Sequence, residues 1–77
     1  MTTHYYKIDL IDPYDGCTAC SRVVRVDGTM EDDAIIQSAI EKDIIDREDT
    51  EEFRVEVEDV TGDKYTLDAF KEETYTL

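Results

Sequence analysis

The chain has 77 residues, of which 21 are Asp or Glu and 8 are Lys or Arg, for a formal net charge of −13 at pH 7. A hydrophobic content of 40% is too high for a disordered chain without a core. The length fits one acidic domain over residues 1–77, burying only about 60–65% of its unfolded surface.

Residues 4–12 alternate so that Tyr6, Ile8 and Leu10 share one face while Lys7 and Asp9 take the other, which predicts a strand. Pro13, Tyr14, Asp15 and Gly16 then supply turn chemistry, a fixed φ from proline and a free one from glycine. Residues 19–26 are rich in β-branched side chains, with Val24 and Val26 on one face and Val23 and Arg25 on the other. They are the expected antiparallel partner of the first strand.

At Asp27, Gly28 and Thr29 the period changes. Thr29 with Asp32 makes a variant capping box, and Glu31, Asp32 and Asp33 suit the positive end of a helix dipole, so a helix is expected over 30–43. Ile35, Ile36, Ala39, Ile40 and Ile44 form its apolar sector, and Asp43, falling inside that sector, marks its end. The polar run 46–52 follows as a loop. Phe53, Val55 and Val57 alternate with Arg54, Glu56 and Glu58, and after Thr61, Gly62 and Asp63 a returning strand through Tyr65 and Leu67 would complete a second hairpin. The tail reads either as a helical turn over 68–73 or as a short strand over 74–77.

These elements predict an α+β fold in two layers, a small antiparallel or mixed sheet of about 4–5 strands with one helix packed on it, in the order ββαββ with a fifth short strand if 74–77 pairs. That order resembles the ubiquitin-like grasp at the level of topology, with no motif behind it.

No constellation of catalytic residues stands out. Cys17 and Cys20 form a single C-x-x-C, a weak candidate metal site, because His4 is the one histidine and a closed tetrahedral site needs two more ligands. The pair precedes a strand instead of opening a helix, which argues against thioredoxin-like redox work. His4 has no paired nucleophile. The acidic spacing over 43–52 fails the calcium loop of an EF-hand, and phosphate-binding glycine loops are absent. No enzymatic activity and no cofactor are expected.

Charge carries the functional reading. Solubility alone is served by a net charge of magnitude roughly 2–8, and self-repulsion at −13 destabilises a compact state. Two demands can maintain the excess: a strongly basic partner, or life in concentrated salt. The same sign weighs against direct binding to nucleic acid or anionic lipid. No apolar run approaches the roughly 18–20 residues of a membrane span, and the first residues lack the pattern of a signal peptide, so a cytoplasmic location is expected.

The stretch 41–59 concentrates ten carboxylates against three basic residues. The expected function is a non-enzymatic inhibitor, an acidic nucleic-acid mimic that blocks the basic DNA- or RNA-binding groove of a nuclease or other nucleic-acid-handling protein. In size, acidity and lack of chemistry the chain is similar to the small phage proteins that block restriction or CRISPR nucleases, a likeness of physical type that carries over no residue. Asp46, Glu48, Asp49, Glu51, Glu52, Glu56, Glu58 and Asp68 are the expected partner-binding residues. Two alternatives are a small regulatory or assembly module docking a basic protein through a sheet edge, and a Cys17/Cys20 metal-binding module. Tyr5, Tyr14 or Phe70, exposed among carboxylates, would give such a surface an aromatic anchor with an acidic rim.

Overall fold

The structure is a computed structural model and describes residues 2–77. The described elements, in order, are β1 (Thr3–Ile11), β2 (Thr18–Asp27), α1 (Asp32–Glu41), α2 (Arg47–Glu52), β3 (Arg54–Asp59), α3 (Lys64–Ala69) and β4 (Thr74–Thr76). They form an α+β fold around a 4-stranded mixed sheet in the order β3-β1-β2-β4, with β1 antiparallel to β2 and β3 and β4 parallel to β2.

β1 takes a central place because one of its faces is apolar from Tyr6 to Leu10. Tyr6 lies opposite Val24 of β2, while Ile8 and Leu10 lie opposite Val57 and Val55 of β3. Against this face α1 packs Ile35 and Ala39, both fully buried, and Ile36 and Ile40 lie beside them. Full burial of a side chain the size of Ile35 is worth about 1.5–3 kcal/mol.

The turn joining β1 to β2 is held by its own polar groups. The Tyr14 N–H donates to Asp12 Oδ1 at 2.8 Å, and the Gly16 N–H donates to the Asp12 carbonyl at 2.9 Å. Gly16 has φ of 74°, which favours glycine there. The register shifts where Leu10 faces Cys20 but Ile11 faces Thr18, leaving Ala19 as a bulge.

The helix expected over 30–43 is present but shorter at both ends. Glu31, not Thr29, precedes its first turn, and no side chain caps it. At the other end Asp43 adopts φ of 58°, the Asp43 N–H donates to the Ile40 carbonyl at 3.1 Å and the Ile44 N–H to the Ala39 carbonyl at 2.9 Å. This is a Schellman motif. It turns the chain so that Ile44 and Ile45 enter the same core as Ala39.

The expected single helix and second hairpin are corrected. Residues 46–52 are no loop: Arg47–Glu52 is helical, with the Phe53 N–H donating to the Asp49 carbonyl at 2.9 Å. None of its residues is buried, so it lacks the apolar stripe by which a helix is recognised. The predicted strand through Tyr65 and Leu67 is also a helix, α3. The Asp63 carboxylate accepts from the Thr66 N–H at 3.1 Å and from the Thr66 hydroxyl at 2.7 Å, a cap that a hairpin reading of Gly62-Asp63 overlooks. Tyr65 accordingly points outward and is 92% exposed.

Instead of returning beside a hairpin partner, β3 pairs with β1, and the last strand crosses to the far edge beside β2. The order is thus ββααβαβ, the expected ββαββ succession with the two short helices α2 and α3 added. The crossing explains Val23. By alternation it points to the face opposite Val24, yet its exposure is 0%. α1 occupies the Val24 face, so the segment between β3 and β4 covers the other.

Candidate functional site

α2 and β3 are consecutive in the chain and join at Phe53, half-buried between them. Six residues make a marginal helix in isolation. Here the buried Ile45 anchors the chain before it and Phe53 after it, the Thr50 hydroxyl donates to the Arg47 carbonyl at 2.6 Å, and the Thr50 N–H donates to the Asp46 carbonyl at 3.3 Å. From Asp46 to Glu52 a rise of about 1.5 Å per residue gives roughly 9 Å, over which Asp46, Glu48, Asp49, Glu51 and Glu52 place a carboxylate about every 2 Å. Duplex DNA carries a charge about every 1.7 Å of axis.

The two halves of this run are not equivalent. Glu48 and Asp49 occupy the first turn, where the helix dipole favours them, whereas Glu51 and Glu52 occupy the last turn, which has no basic residue. Neither of these two has an ion-pair partner among the described residues.

Glu56 and Glu58 extend the acidic surface along β3, exposed on the face away from α1. Their cross-strand neighbours on β1 are Asp9 and Lys7. The like-charged Asp9 opposite Glu56 is unfavourable. It is eased by Arg54, 3.4 Å from Glu56, by Lys7, 3.6 Å from Asp9, and by the Ser21 hydroxyl, which donates to Asp9. The structure therefore unites seven of the expected partner-binding residues, Asp46, Glu48, Asp49, Glu51, Glu52, Glu56 and Glu58, on one α2–β3 unit. Asp68 is carried separately on α3, 3.6 Å from Lys71. Other carboxylates lie in α1 at Asp32, Asp33 and Glu41 and beside it at Glu31 and Asp43, so the acidity extends well beyond this unit.

Two open clefts are lined by exposed aromatic rings. One, of about 470 Å³, lies between the β1–β2 turn and the end of α2 and is lined by Asp12, Pro13, Tyr14, Glu51, Glu52 and Phe53. The other, of about 500 Å³, is lined by Lys64, Tyr65 and Asp68. Of the aromatic residues expected to be exposed, Tyr14 is 97% exposed, while Tyr5 and Phe70 are half-buried. The part of Asp12 in the first cleft had no sequence signal, since only folding sets it across from Glu51 and Glu52.

The remaining candidates are placed as follows. Cys17 is exposed and Cys20 half-buried, both free thiols. Among the described residues no group of three or more His, Cys, Asp or Glu side chains is arranged to hold a metal ion. His4 is half-buried, with Nδ1 2.7 Å from the Gly28 carbonyl and its ring stacked on Tyr6 at 6.3 Å. The Thr61 hydroxyl and N–H hold the Asp59 carboxyl below its usual range, and the Thr66 hydroxyl and N–H do the same for Asp63. Both are turn and cap fixtures. No helix among the described residues is long and apolar enough to cross a membrane. No family model, curated protein or solved structure matches the chain.

Proposed function

We propose that this protein is a non-enzymatic inhibitor that presents the α2–β3 surface as an acidic nucleic-acid mimic to the basic groove of a nuclease or other nucleic-acid-handling protein. The observation that carries this reading is the ordering of 46–52. A floppy acidic loop would lose conformational entropy on docking, whereas a helix braced by Ile45 and Phe53 offers its carboxylates already spaced at close to the charge density of a duplex. Bound through such contacts, a partner releases counterions, so affinity falls steeply with salt.

The test is capture of nucleic-acid-binding proteins from nuclease-treated lysate on the immobilised protein, challenged with duplex DNA and with salt, beside a variant carrying Glu48→Lys, Asp49→Lys, Glu51→Lys and Glu52→Lys. DNA, salt and the charge reversal should each abolish capture of the same protein. Capture that persists through high salt and tolerates DNA sinks the mimic.

A second reading is favoured by the outer edge of β3, which is an edge strand of the sheet, so a basic protein could add a strand there. In that case the charge reversal on α2 would slow association without abolishing it.

A further inference from the structure

We propose that the cleft between the β1–β2 turn and the end of α2 receives an arginine side chain of the partner. This rests on the reading of the partner as a basic protein and adds to it a defined pocket.

One wall is the ring of Tyr14, 97% exposed, on a turn that is fixed before anything binds. The Tyr14 N–H is tied to Asp12 at 2.8 Å, the Asp12 N–H to the Cys17 carbonyl at 2.9 Å, and the Cys17 N–H to Asp15 at 2.8 Å, while Pro13 restricts the backbone between them. These bonds fix the backbone beneath the ring, and the ring itself, open on nearly every side, offers apolar area and a π-face. The opposite wall is Glu51 and Glu52, with Phe53 beside them and Asp12 next to the tyrosine. These glutamates lack ion-pair partners among the described residues and sit at the negative end of α2, where a cation is favoured twice over.

No basic residue lines this cleft, whereas Lys64 lines the one beside Tyr65, so a cation is directed to the first and not the second. Between the two cationic side chains, the geometry selects arginine. A flat guanidinium stacks on tyrosine and forks onto carboxylates together, while an ammonium is a hydrated point charge.

The experiment is a titration of the isotope-labelled protein with hexa-arginine and with hexa-lysine, followed through its backbone amides. Hexa-arginine should shift the amides of Tyr14, Asp15, Glu52 and Phe53 first and bind more tightly than hexa-lysine. Tyr14→Ala should weaken hexa-arginine about fivefold, and Tyr14→Phe, which keeps the ring, should not. Because Tyr14 is almost wholly exposed, both variants fold. Shifts spread evenly over the acidic surface, equal affinity for the two peptides, or an unaltered Tyr14→Ala would overturn the pocket. Those results would leave the mimic standing, since it needs only carboxylates; its own failure shows instead as capture indifferent to charge reversal on α2.

Discussion

Replacing Glu51 and Glu52 together by Gln should make the protein more stable and a weaker binder. Both side chains lie in the last turn of α2 with no basic residue in that turn, so each carboxylate opposes the partial negative charge of the helix end. Such placement costs about 0.3–1 kcal/mol per exposed group at low ionic strength, so the pair is worth about 1 kcal/mol. Gln has nearly the helix propensity of Glu, so the change isolates charge. For a chain of this size 1 kcal/mol corresponds to a Tm higher by about 4–8 °C. Thermal unfolding at low salt reads the gain. Exchange of the Phe53 amide, which donates to Asp49, reports whether α2 itself opens less often. At 1 M salt, where the screening length is about 3 Å, most of the gain should vanish. A lower Tm, or a gain of the same size in 1 M salt, would refute the reasoning, the first by showing that the glutamates stabilise α2 and the second that packing is responsible. Hexa-arginine should bind this variant more weakly, so stability and binding move in opposite directions. Residues held at a cost to the fold are what a binding surface requires.

Two further outcomes are expected. Asp43 holds φ of 58° without being glycine, so Asp43→Gly should stabilise by about 0.5–1 kcal/mol, read as a higher urea midpoint at unchanged slope, with Asp43→Asn as the control for lost charge. Equal midpoints for the two variants would assign the effect to charge instead of backbone. Asp63 is held below its usual pKa by Thr66, so its folded carboxyl titrates below the unfolded one. Its contribution is complete above about pH 4 and is lost as pH falls through the lowered folded value. Asp63→Ala should therefore be less stable than the natural protein at neutral pH, and that deficit should shrink in acid. Denaturation at a series of pH values reads it, and a deficit constant with pH would contradict the cap.

The parts of the fold legible in the sequence were those whose pattern has a single physical reading. Tyr6, Ile8 and Leu10 alternate across a turn from Val24 and Val26, and the hairpin they imply is the centre of the sheet. The isoleucines of α1 repeat at helical spacing, and Asp43 in the apolar sector does mark the place where the helix turns away. α2 was illegible because every one of its residues is polar, and α3 because Thr61-Gly62-Asp63 serves equally as a hairpin turn and as the approach to a helix cap. The candidate site followed the same division. The acidic residues stood out by number, but their being held as a helix, and Asp12 and Tyr14 facing Glu51 and Glu52, did not.

What the sequence determined by itself was the α+β character, the first hairpin, the apolar face of α1 and the sign of the field, because periodicity and charge are local properties of a chain. Which strand lies beside β1, what covers Val23, and which aromatic ring meets which carboxylates were decided only in the tertiary structure. A six-residue strand such as β3 carries no label for its partner. Pairing with β1 half-buries Val55 and Val57 beside Leu10 and Ile8, and it sends the following segment across the back of the sheet, on the side of the buried Val23.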